Sequence, residues 1–138
     1  MVKGIGIDLI ELGRIERAID RFGERFLARL LTPNERAGAR GPFVSYVAAR
    51  WAAKEAALKA LGTGISGGIT WRDVEVLDEP SGAPRMLLHG LAFRRAQALG
   101  VTSALVSLTH DQEHAAAVAV LEGAVPPGAP AHPGGDTP

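Results

Sequence analysis

The sequence predicts an α+β domain in which a small, largely antiparallel sheet packs with one long central helix, and three patterns predict it. Residues 43 to 61 contain no helix breaker and stop at Gly62, the signature of a helix of about five turns with a glycine terminator. Beyond the glycine-rich stretch that follows, the apolar period shortens, and DVEVLDE, RMLLHG, SALVSLTH and HAAAVAVLE read as strands. GIGIDLIEL opens the chain as one more strand. Strands that follow one another across short turns, with the helices gathered elsewhere, belong to an α+β arrangement.

Each element has a local reason. After the opening strand, Leu12, Ile15, Ile19 and Phe22 recur at helical spacing, so a helix is expected through about residue 21. TPNE, residues 32 to 35, starts a short helix with a capping-box pattern and proline in its first turn. The glycine-rich segment to Thr70 is loop. PSGAP and DQE are turns, with a helix expected over 91–99. From Gly123 the chain reads GAVPPGAPAHPGGDTP, which has no large side chain to repay ordering. The expected organisation is therefore one domain over 1–122 and a disordered tail over 123–138, without an internal repeat.

Bulk composition excludes more than it assigns. A chain of 138 residues with 46% hydrophobic residues suits one small core, of a size that a partner subunit often completes. Fifteen basic and fifteen acidic residues cancel, so no overall field argues for nucleic acid or a membrane surface. Cysteine is absent, which excludes disulfides and thiolate metal sites. No apolar run approaches the roughly 18 residues of a span, and no signal-peptide pattern stands at the start, so a cytoplasmic location is expected.

The long helix carries the chemistry. On a wheel, Val47, Trp51, Leu58 and Leu61 form an apolar stripe, and Ala49, Ala53, Ala56 and Ala60 form a second face small enough for close packing. Lys54 falls inside the apolar stripe, Arg50 at one edge, and Glu55 with Lys59 at the other. Two readings stay open. Glu55 and Lys59 form an ordinary i,i+4 ion pair while Arg50 and Lys54 snorkel to solvent, or the four charges face a phosphate. The loop GTGISGG, with Gly62 and Gly64, follows the helix and so meets its negative end. A phosphate there has to be held by Lys59, Lys54, Arg50 or a metal ion.

Two further positions divide in the same way. Alternation puts Ile5, Ile7 and Leu9 on one face of the first strand and Gly4, Gly6 and Asp8 on the other. Asp8 either caps the next helix in a D-x-x-E pattern with Glu11, or is a hard oxygen ligand for Mg²⁺ with Glu55 as the second carboxylate. His110, at the end of VSLTH, is either a capped edge residue or a donor to phosphate.

In their order along the chain, GIGIDLIELGRI, FLARLLTPNE, RWAAKEAALKALGTGI, WRDVEV, the SGAP turn and VSLTH resemble the holo-(acyl-carrier-protein) synthase family of phosphopantetheinyl transferases, over about residues 3 to 122. The resemblance implies transfer of 4′-phosphopantetheine from coenzyme A to a serine of apo-acyl carrier protein, in support of fatty acid biosynthesis. It implies a homotrimer with active sites between subunits. It also implies that Asp8 and Glu55 hold Mg²⁺, that Lys59 contacts the pyrophosphate, and that Arg50 and His110 lie around the 3′-phosphate. Lys54, Gly62 and Gly64 join the coenzyme A set, the loop holding Pro84 borders the adenine, and Glu55, directly or through water, is the preferred base. One departure is Ala83, where relatives often carry a basic residue; Arg85 is its expected replacement.

Arg14, Arg17 and Arg21 recur at i, i+3, i+7 opposite the apolar stripe of the first helix, with Arg25 and Arg29 continuing nearby. They read either as a solvated face balanced by Glu16, Asp20 and Glu24, or as a docking row for the acidic helices of a carrier protein. The alternatives to the implied activity are a transferase serving polyketide or peptide synthase carriers, and a catalytically silent trimer that binds coenzyme A or another nucleotide.

Overall fold

The first strand, β1 (Val2–Glu11), lies directly on the long helix because two of its residues have no side chain. In this computed structural model, which describes residues 1–125 and 128, a Cβ at Gly4 would overlap the Ala60 carbonyl oxygen, and one at Gly6 the Ala56 carbonyl oxygen. The alanine face expected from the wheel is the other half of that contact: Ala53 and Ala56 are completely buried, and Ala49 and Ala60 are nearly so. Small residues on both sides bring the backbones together, which gains dispersion contacts with little side-chain entropy to lose.

Around this contact the elements follow in the order α1 (Leu12–Phe22), α2 (Glu24–Leu30), α3 (Pro33–Ala37), α4 (Phe43–Leu61), a 3₁₀ turn (Trp71–Asp73), β2 (Val74–Asp78), β3 (Pro84–Leu88), α5 (Gly90–Ala98), β4 (Ser103–His110) and β5 (His114–Glu122). β5 is the middle strand of an antiparallel sheet ordered β1-β5-β4, and its Ala115, Ala117, Ala119 and Leu121 are buried against α4 while the residues between them are half-buried. β2 and β3 pair as a separate antiparallel ladder, so the sheet expected from the strand count is two. A cleft of about 210 Å³ lined by Met86, Leu88, Phe93 and Val101 lies where β3 and β4 approach.

Local signals held where they were strong. Thr32 and Glu35 form the reciprocal capping box, and Gly62 ends α4 in the left-handed conformation. α2 has no counterpart in the sequence reading, because Gly23 at φ 53° breaks one helical run into two; the restart buries Leu27 and Leu30. β1 continues to Glu11, and no side chain caps α1, so the capping role considered for Asp8 is not used. The expected domain boundary also shifts. Gly123 is buried, donates its N–H to the Met1 carbonyl at 2.9 Å and accepts from the Met1 amino group. It therefore belongs to the folded unit; residues 126, 127 and 129–138 of the expected tail lie outside the described residues.

The other face of the three-stranded sheet is apolar and uncovered. Ile5, Ile7 and Leu9 are 66%, 69% and 65% exposed, and Leu105 on β4 is 52% exposed. Among the described residues, no helix is long and apolar enough to cross a membrane.

Candidate active site

The four charges on α4 divide into two pairs with different tasks. Lys54 is completely buried, and its ammonium donates to Glu35 Oε1 at 2.8 Å, to the Trp71 carbonyl at 3.1 Å and to the Val74 carbonyl. All three of its protons are thereby used. Burial pushes the ammonium below the usual lysine range, and the Glu35 carboxylate opposes that push. Arg50 is 4% exposed, reaches the Val76 carbonyl at 3.3 Å and Asp78 at 3.0 Å, and stacks over the Tyr46 ring at 4.3 Å. Neither side chain snorkels: Lys54 spends its three protons inside the chain, while Arg50 uses two of its five donors there. The reason is that α3 and β2 cover this side of the helix and bring carboxylates and carbonyls to charges that a wheel could only place by angle.

Glu35 completes that interior knot. It accepts from Thr32 N at 2.9 Å and from Val76 N at 2.9 Å as well as from Lys54. Beside it, Glu75 accepts from the Thr32 hydroxyl and pairs with His89 at 3.1 Å. Burial raises the Glu75 carboxyl, but these hydrogen bonds outweigh it and hold the group below the usual range.

On the β1 side, Lys59 donates to Asp8 Oδ1 at 3.0 Å and to the Ile7 carbonyl at 3.0 Å. The Lys59 side chain remains 55% exposed while that of Asp8 is 14% exposed. Glu55 stands one turn earlier on the same side of α4 as Lys59, but does not pair with it; its Oε1 instead accepts from the Trp71 indole at 2.9 Å. The ordinary helix ion pair is thus absent: the half-exposed Lys59 ammonium takes Asp8, and Glu55 takes the Trp71 indole.

This donor set suits Mg²⁺. Asp8 Oδ2 is buried and lacks a hydrogen-bond partner among the described residues, an oxygen whose desolvation none of them offsets. No group of three or more acidic or histidine side chains is gathered for a metal among the described residues. Two carboxylates are nonetheless the usual protein share for Mg²⁺, with waters and substrate phosphates completing the shell.

The remaining assignments are more scattered. Gly62 and Gly64 are exposed at φ 74° and 57°, but their N–H groups are bonded to the carbonyls of Lys59 and Leu58. What they offer a ligand is bare backbone rather than free donors. His110 is exposed and pairs with Ala115 across from Ile10, so it shares the sheet face of Asp8 but lies on the opposite edge strand, two strand spacings across and two residues along, roughly 12 Å away. Pro84 begins β3 in the other sheet, with Arg85 exposed beside it. A single chain does not gather His110 and Pro84 around Asp8.

Arg14, Arg17, Arg21 and Arg25 are all exposed, and none is in an ion pair among the described residues. Glu24, expected to balance them, is held by Arg36 at 2.6 and 2.7 Å. Arg25 and Arg29 border a groove of about 260 Å³ lined also by Phe22, Phe26, Trp51 and Trp71. Sequence reading did not single out this groove or Trp71; the spacing of Phe22, Phe26 and Arg29 was visible, but the break at Gly23 hid their common face.

Residues 4–119 match the family model described as the 4′-phosphopantetheinyl transferase superfamily. The holo-(acyl-carrier-protein) synthase of Solidesulfovibrio magneticus is 53% identical over 123 residues, covering 89% of this chain and 100% of that protein. Among solved structures, the holo-(acyl-carrier-protein) synthase of Neisseria meningitidis aligns with a TM-score of 0.80 at 35% identity, over 88% of this chain and 99% of that one. The Helicobacter pylori enzyme of the same name, in complex with coenzyme A, aligns with a TM-score of 0.77 at 33% identity, over 86% and 99%. With the glycine-backed Asp8, the Glu55 and Lys59 side of α4 and the aromatic groove in one fold, this chain belongs to the 4′-phosphopantetheinyl transferase superfamily and, within it, to the holo-(acyl-carrier-protein) synthase family.

Proposed function

We propose that this chain transfers 4′-phosphopantetheine from coenzyme A to a serine hydroxyl of apo-acyl carrier protein, releasing adenosine 3′,5′-bisphosphate, in the cytoplasm and in support of fatty acid biosynthesis. The observation that carries the reading is the Lys59 ammonium on Asp8 Oδ1 with Asp8 Oδ2 left unpartnered. Asp8 and Glu55 would hold Mg²⁺, which supplies charge neutralisation at the coenzyme A pyrophosphate when bound. Lys59 places a second positive charge where negative charge develops on the transferring phosphoryl group. The serine oxygen forms a bond to the phosphorus that carries the pantetheine arm, and the bond from that phosphorus to the bridging oxygen breaks, leaving with the nucleotide. Glu55 accepts the serine proton.

The exposed apolar face of Ile5, Ile7, Leu9 and Leu105 is of the kind that self-association covers, and it supports the homotrimer. In that assembly His110 and Pro84 serve a site completed by a neighbouring copy. The unpaired arginines of α1 and α2 suit the acidic helices of the carrier.

The test is the intact mass of an apo-acyl carrier protein after incubation with this protein, coenzyme A and Mg²⁺. A gain of one phosphopantetheine arm is expected, with the rate reduced by at least about 10²-fold in Glu55→Gln and no gain in chelator. Coenzyme A binding without any gain, across several carriers, would instead identify a silent binder. The docking row makes a separate prediction. Arg14→Glu combined with Arg21→Glu should raise KM for the carrier about tenfold or more with kcat little changed, and flatten the dependence of kcat/KM on salt. An unchanged KM would remove these arginines from the carrier interface.

A further inference from the structure

We infer that Trp71 is a positioning residue for the transfer reaction: its indole N–H holds the Glu55 carboxylate by one oxygen, which sets where the other points and keeps Glu55 off Lys59. The inference rests on the function proposed above, in which Glu55 shares the cation with Asp8.

Trp71 is gripped by two consecutive residues of α4. Lys54 donates from the interior to its carbonyl at 3.1 Å, and its own indole donates to Glu55 Oε1 at 2.9 Å. Successive helix residues point about 100° apart, so one reaches the main chain of Trp71 and the other its ring. Lys54 is itself fixed by Glu35 and the Val74 carbonyl. The turn bearing Trp71 is closed by the Thr70–Asp73 capping box. The ring packs on Trp51 at 5.1 Å between centroids, and Trp51 on Phe26 at 6.1 Å. The donor is therefore held at its backbone and at its ring face before any ligand arrives.

That restraint matters because Glu55 has a competing partner. Lys59 lies at i+4, in the favourable orientation for a helix ion pair, yet its ammonium is on Asp8 and the Ile7 carbonyl. An indole N–H donates and cannot accept, so it satisfies one carboxylate oxygen without competing for the cation. It leaves Oε2 to the cation, and Lys59, with two of its three protons on Asp8 and the Ile7 carbonyl, keeps one for phosphate. A hydrogen bond to a charged acceptor is among the stronger ones, which lets a single donor decide the orientation.

Trp71→Phe keeps an aromatic ring beside Trp51 and removes the donor together with the rest of the five-membered ring. Mn²⁺ binding in the presence of coenzyme A, read by electron paramagnetic resonance, is expected to weaken about tenfold, the lower end for loss of a group that orients a metal ligand. The Mg²⁺ concentration giving half-maximal transfer should rise by the same factor, with KM for the carrier unchanged. Where Trp71→Phe loses the fold, β-(3-benzothienyl)alanine incorporated in a Trp51→Phe background replaces the N–H of the one remaining tryptophan by sulfur at nearly constant shape. It is compared with the same background carrying tryptophan, and the same weakening is expected. Transfer by the unsubstituted protein, together with Mn²⁺ affinity in the variants within twofold of their references, would overturn the inference alone. An unsubstituted protein that neither transfers nor binds Mn²⁺ would overturn the proposed function and this inference with it.

Discussion

Replacing Lys54 with alanine is expected to cost about 3–5 kcal/mol of folding stability, because it leaves the Glu35 carboxylate buried without its countercharge. Both side chains are completely buried, at 2.8 Å. The loss is a large share of the roughly 5–15 kcal/mol that holds a domain folded, so Lys54→Ala should unfold at a much lower urea concentration with an unchanged slope. Lys54→Met with Glu35→Gln removes both charges and keeps an amide oxygen for one of the Thr32 and Val76 N–H groups, which bond separate Glu35 oxygens. It is expected to recover part of the loss. A Lys54→Ala protein within about 1 kcal/mol of the parent would contradict the buried pair. The same pair explains why a lysine sits next to Glu55 on a helix with almost no polar face: its ammonium ties α4 to Glu35 and to the Trp71 and Val74 carbonyls.

Gly6→Ala is expected to be as damaging for a different reason. The added methyl group would overlap the Ala56 carbonyl oxygen and stand 2.8 Å from the Ala56 carbonyl carbon and 2.9 Å from the Ala60 nitrogen. All of these are backbone atoms of α4, so no rotamer change relieves the clash, and β1 has to lift off the helix. A loss of about 4 kcal/mol or more follows, in the range reserved for gross overpacking. Transfer activity should disappear with it, since Asp8 is the next residue on the same strand face. Gly64→Ala is the control. It meets nothing within 4 Å but sits at φ 57°, so it should cost only about 1 kcal/mol through backbone strain. Thermal melting of the two variants beside the parent separates steric overlap from loss of glycine freedom; equal small losses would mean that β1 and α4 are not in close contact.

The contrast between Lys54 and Lys59 shows how far the site was legible. Both lie on one helix among apolar residues, and the wheel gave their angles correctly. Yet Lys54 meets Glu35 at a separation of 19 residues, while Lys59 meets Asp8 at a separation of 51. Whether a charge on a helix is covered by a carboxylate or left half-exposed depends on which distant segment folds over it. The family motifs carried Asp8, Glu55, Lys59, Arg50 and Lys54 as a set, and nothing local showed that Lys54 and Arg50 would turn to Glu35 and Asp78. Trp71 escaped notice because its ring is committed to Trp51 and only its N–H is addressed to Glu55.

What the sequence by itself determined is what short-range physics decides: the span of α4 and its stop at Gly62, the capping box at Thr32, the alternation of β4 and β5, and the motif order that marks the family. Each of these depends on residues within a few positions of one another, where backbone geometry relates position to contact. Only the tertiary structure decided that the glycine face of β1 is the buried one and its isoleucine face the open one, that Lys59 leaves Glu55 for Asp8, and that Trp71 holds Glu55. Those outcomes rest on which surfaces pack together, and a strand with glycine on one face and isoleucine on the other does not announce that a helix of alanines will take the bare side.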